Sequence, residues 1–163
     1  MKSGKFRAGP ALVITLVVLL DQLSKGWIAR ALATSEAGAL TILSWLDFVY
    51  SENPGVSMSL LLASSPLERI ALTALTGTIT LGVVYLLVRS SDRLMQFAYA
   101  LIAGGALGNL IDRVRLGHVV DFIYVHSGTW SFYIFNLADA AISIGVATIL
   151  IAEFRSKQSR STD

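Results

Sequence analysis

Cysteine is absent from the 163 residues, which excludes disulfides, thiolate metal sites and a cysteine nucleophile. Imidazole is nearly as scarce: His118 and His126 are the two histidines, too few without cysteine for a typical structural zinc site, so no metal and no other cofactor is expected. Charge is short as well. Asp, Glu, Lys and Arg make up 15% of the chain, against ~25% in an average soluble domain. The formal net charge is only +2, with the basic residues gathered toward the two ends, so nothing points to a nucleic-acid partner.

What remains is apolar. Hydrophobic residues are 54% of the chain and the mean hydropathy is +0.65, which makes lipid the expected solvent. A helix crossing a ~30 Å hydrocarbon layer uses ~20 residues. Four such helices take about half of this chain and leave little for a soluble domain. Residues 1–163 therefore read as one polytopic membrane domain with spans at about 10–31, 67–88, 94–111 and 135–152 and a polar tail at 154–163. The apolar run Ala11 to Leu20 behind Lys2, Lys5 and Arg7 also resembles a secretory signal, but Asp21, Gln22 and Lys25 interrupt it where a signal core carries no charge. A retained first span is the better reading.

Lys and Arg counts in the loops orient a membrane protein. Lys2, Lys5, Arg7, Arg89, Arg93, Arg155, Lys157 and Arg160 fall on one side, Arg30, Arg69, Arg113 and Arg115 on the other. Both termini are thus expected in the cytoplasm, with a cradle at about 37–60 and a connection at 112–134 on the outer face. Within the cradle, Thr41, Ile42, Trp45, Phe48, Val49 and Tyr50 favour extended chain and Asn53-Pro54-Gly55 a turn. A small sheet at headgroup level is expected there. Trp130, Phe132 and Tyr133 fit an interfacial aromatic belt.

Several polar residues lie where lipid excludes them. Asp21 and Lys25 are four apart, share a helix face and form a candidate structural pair. At ~1.5 Å per residue Asp21 lies ~16 Å from Pro10, near mid-bilayer, while Lys25 is expected to snorkel outward. Gly104 and Gly108 have the small-xxx-small spacing of close helix approach. Asn109, Asp112 and Arg113 follow, reading as an amide and an ion pair delivered to the outer surface, with Arg113 alternatively an interfacial anchor. Asn136 and Asp139 share one face at the outer end of the fourth span, and Asp139 has no sequence-adjacent cation. An intramembrane carboxylate of that kind is a functional-site candidate. Asp121 is a lone acid in an apolar segment, either solvated in a loop or dipping back into the membrane. Two carboxylates brought together share a proton, which suits peptide hydrolysis: one takes a proton from water while the other hydrogen-bonds the scissile carbonyl. A proton-coupled carrier or channel using Asp21, Lys25, Asp112 and Asp139 as a relay is the alternative from another class.

Five segments carry a more specific signal: Asp21-Gln22-Leu23-Ser24-Lys25, Asn53-Pro54-Gly55, Gly104-Gly105-Ala106-Leu107-Gly108-Asn109-Leu110-Ile111-Asp112-Arg113, Gly117-His118-Val119-Val120-Asp121-Phe122, and Phe135-Asn136-Leu137-Ala138-Asp139-Ala140-Ala141-Ile142. In this order they resemble lipoprotein signal peptidase, the bacterial signal peptidase II family. The resemblance implies an all-α membrane protein, a four-transmembrane-helix bundle with a small extracytoplasmic β-cradle and a short periplasmic helix. It implies an aspartic endopeptidase of the bacterial inner membrane that removes the signal peptide of diacylglyceryl-modified prolipoproteins just before the lipidated cysteine. Asp121 and Asp139 match the catalytic pair. Asn53, Gly55, Gly105, Asn109, Arg113, Asn136 and Ala138 fall on substrate-binding or supporting positions. Membrane lipid and cyclic depsipeptide inhibitors such as globomycin are the further partners implied. One departure is Met58, where an aromatic is common in the family; it bears on substrate preference in the cradle and leaves the aspartate pair untouched.

Overall fold

The computed structural model describes residues 8–33, 38–55 and 65–160. Four long helices dominate it: α1 (Ala8–Ala33), α2 (Pro66–Arg89), α3 (Arg93–Leu116) and α4 (Leu137–Arg160). Each is long and apolar enough to cross a bilayer. Large side chains face outward along them, among them Leu12, Leu16, Leu20, Ile70, Leu81, Ile144 and Leu150. The interior instead encloses Asp21, Lys25, Asn109, Asp112 and Asn136. That distribution inverts a soluble bundle and suits a chain whose outer surface meets hydrocarbon.

Local sequence sets the helix ends. Ser65 caps α2 and exchanges hydrogen bonds with Glu68 in a capping box, with Pro66 in the first turn where its missing N–H costs nothing. Asp92 caps α3 through the Met95 N–H. Gly117 closes the same helix in the left-handed region at φ 80°, its N–H on the Arg113 carbonyl. Arg113, Arg115 and Leu116 are good helix formers and no breaker precedes Gly117, so α3 runs past its expected end at Ile111. Asp112 and Arg113 consequently project from a helix, whereas the sequence reading put them in the outer connection.

The rest is a single antiparallel sheet in the order β1 (Ala39–Leu43), β2 (Leu46–Asn53), β3 (Val119–Ser127), β4 (Trp130–Ser131). β3 was not anticipated: the Asp121 segment is not a loop but a strand, because its β-branched residues pair with β2. Ser51 lies opposite Asp121 and Asn53 opposite Val119. Phe48 seats the sheet on the bundle through edge contacts with Trp27 of α1 and Phe122 of β3. Trp130 and Phe132 are exposed and stacked at the far edge. The cradle's residues 56–60, Met58 included, lie outside the described residues, and among the described residues the short additional helix is not seen.

α3 packs against each of the other three helices, and its small side chains make this possible. Ala98, Ala103, Gly104, Gly105 and Gly108 are buried along it. A Cβ at Gly105 would strike the Ala138 carbonyl of α4, and one at Gly108 would lie 2.6 Å from Asp21 Oδ2 of α1. Gly77, by contrast, has its nearest prospective contact at 4.0 Å, on Leu110. We therefore expect Gly105→Ala to destabilise the protein by about 1–3 kcal/mol and Gly77→Ala to be neutral, read as melting temperatures of the two variants in the same lipid or detergent.

Candidate active site

The C-terminal end of α3 and the N-terminal end of α4 meet the first residues of β3 opposite the end of the bundle that holds the helix ends Ala8 and Arg160. Asp139 stands in the first turn of α4. Asp121 stands on β3, 3% exposed. One side chain joins them: Asn136 Nδ2 donates to Asp121 Oδ1 at 2.6 Å while Asn136 Oδ1 accepts the Asp139 backbone N–H at 2.9 Å. The second bond is an N-cap, so the residue that starts α4 also ties it to β3.

Two further amides complete the arrangement. Asn53 Nδ2 donates to Asp121 Oδ2 at 2.9 Å, and its own oxygen accepts the Gly55 N–H at 3.0 Å across the turn that ends β2. Asn109 Nδ2 donates to Asp139 Oδ1 at 2.8 Å, and its oxygen accepts Lys25 Nζ at 3.0 Å. In all three asparagines a group that can only donate claims the amide oxygen. The NH₂ end is thereby directed at a carboxylate, and chemistry alone settles which way each amide faces. Arg113 Nη2 holds the Gly55 carbonyl at 2.8 Å, fixing the turn that carries Asn53. Gly105 lets Ala138 approach α3. All the residues singled out from the sequence as supporting positions thus converge on the two aspartates.

Electrostatics set Asp121 apart from an ordinary surface carboxylate. Burial pushes the Asp121 carboxyl up to about 6, the amide of Asn53 opposes this, and the negative charge of Asp139 adds to the rise. The neighbouring cavity of about 400 Å³ is lined by Asp139, Asn53, Asn109 and Arg113, with Thr76 and Ile79 from α2 and Tyr133 from the strand connection. The α2 and Tyr133 contributions escape the sequence reading, because an apolar span and a belt aromatic give no sign of which face they turn inward. Thr76 carries no such sign either, its hydroxyl donating to carbonyls of its own helix.

The Asp21 and Lys25 pair is part of something larger. Lys25 does not snorkel: it is 4% exposed, with Nζ 2.8 Å from both Asp21 Oδ2 and Asp112 Oδ2. Asp112 is therefore the partner of Lys25 and not of Arg113, since its helical position turns it toward α1. The two histidines lie apart, His126 on Asp47 at 2.9 Å and His118 3.8 Å from Glu52.

A family model described as "Signal peptidase (SPase) II" matches residues 13–155. A lipoprotein signal peptidase of Methylocella silvestris is 44% identical over 140 residues, 86% of this chain and 82% of that protein. One of Burkholderia vietnamiensis is 45% identical over 148 residues, 90% of this chain and 88% of that protein. A solved bacterial membrane enzyme, determined by the in meso method at 2.3 Å, superposes with a TM-score of 0.83 at 30% identity, covering 98% of this chain and 95% of that one.

The raised Asp121 carboxyl has a consequence for stability. Between its ordinary value of 3.8 and about 6 the folded state holds a proton that the unfolded state has lost. Stability therefore falls as pH rises through that window, by at most about 1.4 kcal/mol per pH unit. Melting curves of the wild type and Asp121→Asn between pH 4 and 7 should diverge in slope, the wild type losing stability relative to the variant as pH increases.

Proposed function

The chain belongs to the signal peptidase II family, and we propose that it is an aspartic intramembrane endopeptidase in which Asp121 and Asp139 activate one water molecule. Its substrates are diacylglyceryl-modified prolipoproteins, cut just before the lipidated cysteine. The observation that carries this reading is the Asn136 amide bridging the two aspartates, with its NH₂ on Asp121 and its oxygen on the Asp139 backbone. The peptidase names of the relatives favour it over a proton-coupled carrier. The bundle lies in the bacterial inner membrane with both termini in the cytoplasm and the dyad near the outer face, where lipidated precursors present their cleavage sites.

In the reacting state the dyad holds one proton. Asp121, the more enclosed acid, carries it and hydrogen-bonds the scissile carbonyl. Asp139 lines the cavity and sits where the helix dipole favours negative charge; it is the ionised member. As the water oxygen bonds to the carbonyl carbon, Asp139 takes the water's proton and Asp121 yields its own to the carbonyl oxygen. Collapse breaks the C–N bond as one hydroxyl of the tetrahedral intermediate returns its proton to Asp121 and the proton on Asp139 passes to the leaving amine of the cysteine, which restores the singly protonated pair. Asn53, Asn109 and Asn136 keep the carboxyls in place without contributing charge. Lipid chains of the substrate and cyclic depsipeptides of the globomycin type compete for the cavity beside Asp139.

Asp121→Asn and Asp139→Asn should each abolish cleavage of a purified diacylglyceryl-modified prolipoprotein while the variants remain folded in membranes. The unlipidated precursor should resist the wild type. Full activity of either variant removes that residue from the chemistry, and equal cleavage of both precursors removes the lipid from recognition.

The value of about 6 for Asp121 includes the negative charge of Asp139. It therefore belongs to loss of the last proton of the pair. The kcat/KM of the free enzyme should decline above about pH 6 and also at low pH, where both carboxyls are protonated, whereas a flat profile with chemistry rate-limiting would sink the shared-proton mechanism.

A further inference from the structure

The established family and the dyad leave the buried cation unexplained. Lys25 has three N–H bonds and three acceptors: Asp21 Oδ2 at 2.8 Å, Asp112 Oδ2 at 2.8 Å and Asn109 Oδ1 at 3.0 Å. An ammonium so saturated cannot serve as a base or nucleophile, and it is held in one geometry. Each of its acceptors reaches on toward one of the two aspartates. Asp21 Oδ1 accepts the backbone N–H of Ala138 at 3.1 Å, the residue immediately before Asp139. Asp112 Oδ2 accepts the backbone N–H of Val120 at 3.3 Å, the residue immediately before Asp121. Asn109 donates to the Asp139 carboxylate itself at 2.8 Å. Gln22 Nε2 braces the same cluster, on Asp112 Oδ1 at 2.9 Å and on the Gly108 carbonyl at 3.2 Å.

We propose that Lys25 is a positioning residue: with Asp21, Asp112 and Asn109 it forms a clamp that grips the chain just ahead of both aspartates and so sets the separation of the dyad. The inference rests on the dyad reading. It goes beyond a structural ion pair, because α4 and β3 are packed against α3 and α1 through other contacts as well, whereas these particular bonds end on the backbone that carries the acids. A structural pair alone would need one carboxylate. Here one ammonium holds two, and each accepts a backbone N–H from a different element of the site, Ala138 of α4 and Val120 of β3. Removing the cation leaves two buried carboxylates facing each other across α1 and α3, which pushes apart the segments they hold.

The test uses the full chain reconstituted in lipid with a diacylglyceryl-modified prolipoprotein, rates being expressed per mole of folded protein well below each melting temperature. Lys25→Met should lower kcat on the order of 100-fold, the scale expected for misplacing reacting groups by about an ångström, with KM changed less than about threefold. Adding Asp112→Asn to Lys25→Met should lower kcat little further, since both changes open one clamp. Lys25→Gln with Asp112→Asn removes one cation and one anion together and supplies a folded variant where Lys25→Met does not; it should show the same selective loss of kcat. A folded Lys25 variant with kcat within threefold of the wild type, or with its loss confined to KM, overturns the clamp. Asp139→Asn in the same assay separates the two ideas: if it is inactive while the Lys25 variants are fully active, the clamp alone fails, and if it is active, the dyad reading itself fails.

Discussion

A charged group in hydrocarbon has no water to turn to, so every bond it makes must come from the protein, and an unpaired charge there costs several kcal/mol. Lys25, Asp21 and Asp112 meet that requirement by saturating one another at the junction of α1 and α3. Because such a cluster tolerates no missing partner, it also has little freedom to move. The rest of this half of the bundle is referred to it. The start of α4 is held through Ala138 and the start of β3 through Val120. A solvent-exposed ion pair would be worth little and would fix little. Lipid makes this one a rigid reference point.

The cluster can form only because the helices approach closely, and the approach depends on α3 having almost no side chains on its inner face. The absence of a Cβ at Gly108 leaves room for the Asp21 carboxylate, and at Gly105 for the Ala138 carbonyl. Packing and chemistry are therefore one feature of α3, read along successive turns: small residues first, then Asn109 and Arg113 on the cavity side and Asp112 on the side of α1. The helix continues to Leu116 so that these polar residues keep the helical spacing that aims them, and Gly117 then turns the chain sharply enough for Asp121 to arrive beside Asn136.

That division explains what was legible beforehand. The four spans follow from composition and run length, which do not depend on partners, and the supporting residues were singled out because their motifs occur in series. Lys25 was misjudged because a hydropathy argument sees a long cation with a route to the interface and cannot see two carboxylates ninety-odd positions of chain apart converging on it. β3 was missed for a related reason. Val119 to Val125 alternate poorly and resemble a membrane-dipping run, and only the partner strand β2, remote in sequence, makes them a strand. In each case the missing information was the identity of a distant partner.

The donors chosen for the two aspartates bear on how they work. Asn53, Asn109 and Asn136 orient the carboxyls by neutral amides, although Lys25 and Arg113 are both close at hand. Arg113 Nη2 goes to the Gly55 carbonyl, and Lys25 stops one amide short of Asp139. A cation in direct contact would favour the doubly ionised pair and strip the shared proton on which the proposed water activation depends. An amide transmits the position of the cation without its full charge: its oxygen faces the ammonium and its NH₂ faces the acid. Under the proposed mechanism the asparagines separate two demands that conflict in a low-dielectric site, firm placement of two acids and retention of one proton between them.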